Sequence, residues 1–280
     1  MCARYTLRTP ADLLAARFGL PQVPDLRPRY NVSPTQSVPV IGTKAGGLGR
    51  GLALFRWGFI PHWAVDDSGP RPVNAKTETV ANSVLWGDSF RRRRCLVPAD
   101  GFYEWRTVNK KKVPVWFHLK DSAPFAFAGV WDVWSGPEGK VFTVAILTTT
   151  PNDLTRPVHD RMPVILKPEA EGTWLDPQIH DPNKIMSLVG PYPADRMAAD
   201  PANPALNKPS FEGPDCLIPP AASYELSGRL GKRRSWKALW SLARLVRPAP
   251  RVAAGPHRPP PSAARRFDIL PADAGQGRTT

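Results

Sequence analysis

Residues 125–150 read FAFAGVWDVWSGPEGKVFTVAILTTT, and this stretch decides the fold class. Its two ends are rich in aromatic and β-branched residues, and its middle carries Gly and Pro, a pattern typical of β-strands separated by a turn. Similar runs recur along the chain. Strands are predicted over 52–60, 113–119, 125–134, 141–150 and 162–166.

Helical signals are fewer. Thr9 has the character of an N-cap and Pro10 that of a first helical residue, which predicts a helix over 10–18. Two further short helices are predicted over 168–175 and 182–189. Because the strands outnumber the helices and do not alternate with them, the sequence predicts an α+β fold with a curved, mainly antiparallel β-sheet core.

The composition changes after residue 220, which predicts one domain over 1–220 and a tail over 221–280. The tail is rich in Pro and Arg and holds twelve Lys or Arg against three Asp or Glu, a net +9 of the chain's +14. Such a segment buries too little apolar surface to offset its ordering entropy, so we predict that it is largely disordered. Within it, SWKALWSLARLV (235–246) is interpreted either as a short basic amphipathic helix or as a transient helix.

The three cysteines, Cys2, Cys95 and Cys216, are far apart and form no CxxC pair. This spacing argues against a disulfide framework and a zinc site, and for a reducing compartment. The sequence shows neither a signal-peptide pattern nor an apolar run of about 18 residues. We therefore expect a cytoplasmic protein without membrane span, metal or cofactor, and a monomer. Cys95 and Cys216 are expected to be buried structural thiols.

Cys2 directly follows the initiator methionine. A small residue at position 2 favours removal of Met1, and the new terminus would then carry an α-amine and a thiol two carbons apart. An internal cysteine has no such pair of groups. A cysteine also occurs at this position by chance, so its interpretation depends on the rest of the sequence.

Three polar segments interrupt the strand pattern: VNAKTET (73–79), RCLVPADGFYEW (94–105) and HDRMPVIL (159–166). Each places a polar side chain beside an apolar strand, where burial without a partner is costly. Taken singly, these side chains also have structural explanations, as a turn residue, an ion-pair partner and a cap. Only their combination indicates a shared site.

Together with MCARY (1–5), YNVSPTQ (30–36) and RWGFIPHW (56–63), these segments have the order and spacing of the SRAP family, the SOS response-associated peptidases. The chain resembles that family over residues 2–219. The resemblance implies a single α+β domain that binds single-stranded DNA and whose N-terminal cysteine crosslinks covalently to an abasic site. Single-stranded DNA with abasic sites is thus the expected partner, and the protein would be nucleoid-associated when bound to it.

The resemblance also implies roles for individual residues. The implied catalytic residues are the crosslinking cysteine, an orienting amide, a carboxylate that handles the proton of the α-amine, and an acid–base histidine: Cys2, Asn74, Glu104 and His159. The cations that would contact phosphates are Arg4, Lys76 and Arg161. The residues that would shape the DNA groove are Asn31, Pro34 and Trp63.

A terminal cysteine suits this chemistry. A ring-opened abasic site exposes an aldehyde, and an α-amine with a pKa of about 8 is unprotonated far more often than a lysine at about 10.4. The amine gives an imine, and the thiol then closes a thiazolidine ring in an intramolecular step, for which effective molarities reach roughly 10⁵ M. Lyase activity through the imine is a further expectation.

The chain departs from the family pattern at several of these positions. Ala3 stands where the family carries glycine, Lys76 where arginine is common, and Trp63-Ala64 where some members have two tryptophans. A Cβ at position 3 would be strained if the backbone there required a positive φ. At position 76, the ammonium group of lysine is a point charge and cannot bind a phosphate in the bidentate way that an arginine guanidinium does. These departures predict weaker activity than is usual in the family.

Other interpretations stay open. Arg91–Arg94 and Lys110–Lys112 are either further contacts to a DNA backbone or a solvated charged edge. A Cys, His and Glu set could also serve acyl transfer in a cysteine peptidase or in a protein that processes its own terminus, although only Met1 precedes Cys2. A third possibility is a noncatalytic single-stranded DNA binder that uses the basic tail.

Overall fold

The computed structural model describes residues 2–44, 47 and 49–219. Met1 and the predicted tail, with its 235–246 segment, lie outside the described residues. None of the helices described has the length and apolar character needed to cross a membrane.

Strands predominate in the described residues, as the sequence predicts. The strands are β1 (Tyr5–Leu7), β2 (Arg29–Val32), β3 (Ser37–Thr43), β4 (Arg50–Trp57), β5 (Asn74–Lys76), β6 (Arg94–Ala99), β7 (Gly101–Val108), β8 (Lys111–Leu119), β9 (Phe125–Gly136), β10 (Gly139–Thr149), β11 (Met162–Pro163), β12 (Ile165–Leu166) and β13 (Met197–Pro201). The α-helices are α1 (Ala11–Phe18), α2 (Thr77–Val80), α3 (Gly87–Arg92), α4 (Pro168–Leu175) and α5 (Pro182–Met186).

Five strands close into a barrel. Neighbours pair in the order β10, β4, β3, β6 and β9, and β9 pairs back with β10. All these pairings are antiparallel except that of β10 with β4. Residues 125–150 form the β9–β10 hairpin, whose register runs from Gly136 opposite Gly139 to Gly129 opposite Ile146. The predicted curved, mainly antiparallel sheet is therefore confirmed.

A second sheet holds the first strand of the chain between two other strands. Its antiparallel strands follow the order β13, β8, β7, β1 and β2, so that β1 lies between β7 and β2. Tyr5 lies opposite Phe102, and the Tyr103 amide donates to the Arg4 carbonyl at 3.0 Å. This register places the first residues of the chain beside Glu104 on β7.

The ring of Tyr5 packs this strand onto the barrel. Its centroid lies 5.4 Å from that of Trp57 and 5.8 Å from that of Phe127, both in edge-on arrangements. All three rings are buried. Edge-on aromatic pairs are favourable beyond the area that they bury, so β1 is held by side-chain packing as well as by its ladder.

The first helix begins one residue later than predicted and without the predicted cap. Helix α1 starts at Ala11 after Pro10, and no side chain caps it. The amide and the hydroxyl of Thr9 donate instead to Asp100, at 2.9 and 3.0 Å. The prediction failed because a buried carboxylate distant in sequence competes for the threonine.

Two other predicted elements differ in extent. The helix predicted over 182–189 ends at Met186, and the amides of Leu188 and Val189 bond to carbonyls three residues earlier, as in turns. The strand predicted over 162–166 is divided, because β11 pairs with β10 whereas β12 pairs with β9. The helix predicted over 168–175 is confirmed as α4.

The four-arginine run does not form a uniform cationic surface. Arg94 is buried, and its guanidinium lies 5.8 Å from the ring centroid of Trp174. Burial lowers the pKa of Arg94 to about 10, so that the side chain is still charged at neutral pH. The interpretation of this residue as a DNA contact is therefore wrong. Its donors bond to the carbonyls of Phe90, Arg91, Trp174, Asp176 and Ile179.

Replacing Arg94 tests this structural role. Arg94→Met would leave several buried carbonyls without a donor, so we expect the free energy of unfolding to fall by about 3 kcal/mol. Arg92→Met is the matched control, because Arg92 is exposed, and its expected effect is below about 1 kcal/mol. Urea unfolding of both variants measures the difference, and equal losses would contradict the assignment.

Candidate active site

The chain start is tied down by Asp100, which lies between β6 and β7. Its carboxylate accepts from the Thr6 hydroxyl at 2.6 Å, the Arg8 amide at 2.5 Å and the Thr9 amide at 2.9 Å. The Arg8 guanidinium adds an ion pair at 3.2 Å. Asp100 belongs to the motif PADGFYEW, but the sequence alone gave it no role. Its contacts show that it anchors β1, the strand that follows Cys2.

Cys2 is buried and held through its backbone. Asn74 donates from Nδ2 to the Cys2 carbonyl oxygen at 2.9 Å, whereas Cys2 Sγ lies 3.9 Å from the Arg4 carbonyl oxygen. Burial, reinforced by the negative charge of Glu104, raises the pKa of the Cys2 thiol far above its usual range. The sulfur is therefore a protonated thiol at neutral pH and not a thiolate.

Asn74 reaches Cys2 from the barrel. It opens β5, which runs parallel to β10 with Asn74 opposite Ile146. Its Oδ1 atom is buried and has no hydrogen-bond partner within the part of the chain that the structure describes. A buried amide oxygen is normally hydrogen-bonded, so Oδ1 is positioned to accept from a donor brought into the site.

Glu104 lies on β7 and is 2% exposed. Burial raises the pKa of its carboxyl to about 7, because the charged form is poorly solvated there. Its Oε2 lies 4.0 Å from His159 Nε2. A carboxyl with this pKa populates both protonation states near neutral pH, as a group that accepts and returns a proton must.

His159 faces Glu104 through Nε2. Burial lowers the pKa of His159, which favours the neutral ring. The Arg161 amide donates to Nδ1 at 3.0 Å, while Asp160 Oδ1 lies 2.8 Å from the same nitrogen and would require it to be protonated. Asp160 is 88% exposed and its charge is screened by water, whereas the amide donor is fixed by the backbone. The fixed contact therefore favours a neutral ring whose proton is on Nε2, toward Glu104.

The four residues implied as catalytic thus occur together at the point where β1, β5 and β7 meet. Ala3 has no positive φ, so the concern about a strained Cβ at that position does not apply. Among the described residues, no group of three or more His, Cys, Asp or Glu side chains could hold a metal ion. The site offers groups for proton transfer beside the cysteine at position 2.

Asn31 and Arg4 form a hydrogen-bonded connection beside the site. Arg4 donates to Asn31 Oδ1 at 2.9 Å and to the Leu206 carbonyl at 3.1 Å. Asn31 is fully buried, and its Nδ2 donates to the carbonyls of Leu206, Lys208 and Phe211. The side chain of Asn31 therefore shapes this surface by holding the 206–211 segment.

The other implied DNA residues differ in their accessibility. Lys76 is exposed, and Trp63 is exposed to 56%. Pro34 precedes Thr35, whose φ of 72° is uncommon for a β-branched residue, in a turn closed by the Gln36 amide and the Ser33 carbonyl. The turn at Pro34 is thus an unusual local conformation near the chain start.

Arg161 already has partners. Its guanidinium forms a bidentate ion pair with Glu78, at 2.6 and 2.9 Å, and also bonds to the Thr148 carbonyl. Hydrogen bonding from Arg161 lowers the pKa of Glu78, so that the acid is charged at neutral pH. Glu78 lies in the motif VNAKTET, yet sequence reasoning missed it, because a local pattern does not show that it meets an arginine 83 residues away.

The raised pKa of Glu104 predicts a pH-dependent stability. The folded protein holds a proton that the unfolded chain releases above about pH 4.5, so this contribution is complete below pH 4.5 and is lost as the pH rises through about 7. Glu104→Gln should therefore match the wild type at pH 4.5 and exceed its free energy of unfolding at pH 8, by on the order of 3 kcal/mol. Urea unfolding across this range measures the difference.

The exposed Glu138→Gln control should show no such trend, and parallel pH profiles for Glu104→Gln and wild type would contradict the burial argument.

Comparisons with known proteins identify the family of the chain. The family described as SOS response associated peptidase (SRAP) matches residues 1–209. The chain is 40% identical over 223 residues to "Abasic site processing protein YoqW" of Bacillus subtilis, covering 78% of this chain and 99% of that protein. It is 30% identical over 226 residues to "Abasic site processing protein HMCES" of Gallus gallus, covering 69% and 66%.

Solved structures show the same fold. A crystal structure of a protein from Bacteroides thetaiotaomicron superposes with a TM-score of 0.70 at 28% identity, covering 78% of this chain and all of that one. A second, from Bordetella bronchiseptica, superposes with a TM-score of 0.62 at 27% identity, covering 72% and 100%. With the family match over residues 1–209, these likenesses show that the chain belongs to the SRAP family.

Proposed function

We propose that this protein captures abasic sites in single-stranded DNA by forming a thiazolidine crosslink through Cys2, once Met1 has been removed. The observation that carries the proposal is the hydrogen bond of Asn74 to the Cys2 carbonyl, in a register that sets the chain start beside Glu104. Relatives named abasic site processing proteins support the choice of DNA lesion.

The reaction proceeds in two steps. The α-amine of Cys2 attacks the aldehyde of the opened sugar, and loss of one water gives an imine. The thiol then adds across the C=N bond: sulfur bonds to the carbon, and the thiol proton ends on the nitrogen. No oxidant or cofactor is needed, because the ring closes by addition alone. A lyase reaction would start from the same imine.

The buried, protonated thiol supports attack by the amine first. A cysteine peptidase requires a thiolate, which is obtained by lowering the pKa of the cysteine. Here burial raises the pKa of the Cys2 thiol instead. A protonated thiol still adds to an imine, since its proton is transferred to the nitrogen in that step. These features make acyl transfer the weaker candidate.

Glu104 and His159 are assigned complementary proton transfers. The carboxylate form of Glu104 takes the proton that the α-ammonium must lose before it attacks. His159 acts in its protonated form, with Asp160 beside Nδ1: it donates the Nε2 proton to the sugar oxygen as the ring opens, and the neutral ring that remains is the form that burial favours. Asn74 orients the terminus through the Cys2 carbonyl, and its buried Oδ1 accepts from the opened sugar.

The proposed DNA path follows the exposed groups near β5. Lys76 contacts a phosphate, and Trp63 stacks on a base, which tolerates any sequence. Arg161 reaches a phosphate only in competition with Glu78, and Arg4 is shared with Asn31 and Leu206. Lys110–Lys112 are exposed at the β7–β8 turn and offer further backbone contacts. The proposed contacts are to phosphates and base faces and not to base edges, so recognition is independent of sequence.

Cys2→Ala tests the crosslink. We expect the heat-stable adduct with an abasic oligonucleotide to disappear, because the variant keeps an α-amine but lacks the sulfur that closes the ring. Its imine should remain trappable by borohydride. Denaturing gels and intact-mass analysis measure both products.

Cys216→Ala is the control, since Cys216 is a buried free thiol outside the site. It should form the adduct as the wild type does. A heat-stable adduct in Cys2→Ala, or a wild-type protein that keeps Met1 and still forms one, would overturn the proposal.

Glu78→Gln tests the competition at Arg161. Removing the carboxylate frees the guanidinium and deletes a negative charge, so we expect tighter binding to intact single-stranded DNA. The slope of log affinity against log salt should steepen by about 0.7, the contribution of one added phosphate contact. Fluorescence anisotropy over a salt series measures this, with the exposed Glu169→Gln as control. Unchanged or weaker binding by Glu78→Gln would show that Arg161 does not reach DNA.

A further inference from the structure

The loop between β4 and β5, residues 58–73, is firmly attached to the barrel although it carries exposed side chains. The Ile60 amide donates to Thr143 Oγ1 at 3.0 Å. Trp134 Nε1 donates to the Ala64 carbonyl at 2.8 Å. Three residues lie between these attachments, and the two exposed ones, His62 and Trp63, are therefore presented on a fixed backbone.

His62 is held by a buried carboxylate. Asp132 Oδ2 accepts from the His62 amide at 2.9 Å and lies 2.9 Å from His62 Nδ1. A carboxylate oxygen only accepts hydrogen bonds, so Nδ1 carries a proton. Nε2 is then the nitrogen that gains or loses a proton, on a side chain that is 51% exposed. The ring thus forms a buried Asp–His pair with one accessible nitrogen.

Most charges near this ring are matched by partners. Arg56 and Arg71 both pair with Asp67 of the same loop. Asp66 is exposed and hydrogen-bonded to Ser68. From the neighbouring elements, Asp132 also pairs with Arg93, which in turn pairs with Asp88. A proton on Nε2 would therefore add a positive charge to a surface whose arginines are already engaged.

The adjacent residue, Trp63, indicates which kind of ligand a charge on His62 would contact. Trp63 is exposed to 56%, and an exposed indole on a fixed loop suits stacking with a nucleobase. The loop leads directly into β5, which carries Asn74 and the exposed Lys76. A strand stacked on Trp63 would bring a phosphate within reach of the neighbouring ring.

We propose that protonated His62 contacts a phosphate of single-stranded DNA beside the base that stacks on Trp63, so that DNA affinity has a proton-linked component. This inference rests on the proposed function, because it assumes that this face binds single strands. It adds a binding residue that the resemblance does not assign. Because Ala64 stands where some members of the family have a second tryptophan, Trp63 is the only tryptophan of that pair in this chain.

The test compares binding of intact single-stranded DNA by wild type and His62→Ala at pH 6 and pH 8.5. Imidazole charge changes between about pH 5 and 8, so we expect about three- to tenfold weaker binding by the variant at pH 6 and less than about twofold at pH 8.5. At pH 6 the salt slope should decrease by about 0.7. His180→Ala, at an exposed histidine elsewhere, is the control and should leave both values unchanged.

Equal losses for His62→Ala at both pH values would show that the ring only positions Trp63, and no loss would exclude the contact; either result overturns the inference. Because the DNA carries no abasic site, failure of crosslinking by the wild type does not affect this comparison.

Discussion

The structure depends on the placement of β1 between β7 and β2. A chain start is usually loosely held, and a nucleophile there would sample many positions. Here Asp100 accepts hydrogen bonds from Thr6, Arg8 and Thr9, and the Tyr5 ring packs on the barrel. These contacts offset the entropy cost of ordering the terminus. The register of β1 against β7 then fixes where Cys2 lies relative to Glu104.

Burial has opposite chemical consequences for the two groups at this junction. It raises the pKa of the Glu104 carboxyl to about 7, which makes that group useful for proton transfer. It raises the pKa of the Cys2 thiol far beyond neutral pH, which makes the sulfur a poor first nucleophile. On the proposed function, one low-dielectric environment thus favours attack by nitrogen first and addition of sulfur second. The same environment disfavours the acyl transfer that a cysteine, a histidine and a glutamate would otherwise suggest.

Local sequence patterns predicted the strand-rich fold and brought attention to Asn74, Glu104 and His159, because strands and polar interruptions are visible over a few residues. They did not predict contacts between distant segments. The burial of Arg94 beneath Trp174 depends on how α3 and α4 pack, and so a run of four arginines gives no sign of it. The role of Asp100 and the pairing of Glu78 with Arg161 were missed for the same reason.

The cations of the proposed DNA face show how capture could be selective. Arg161 is paired with Glu78, and Arg4 is shared between Asn31 and a backbone carbonyl, whereas Lys76 is exposed. Phosphates would have to displace existing partners at the first two positions, which limits the noncovalent affinity for undamaged strands. Once a covalent ring has formed, the protein remains on the DNA without a high noncovalent affinity. On the proposed function, weak reversible binding lets the protein dissociate from intact DNA. At an abasic site the aldehyde forms a covalent bond, so the protein stays bound much longer there.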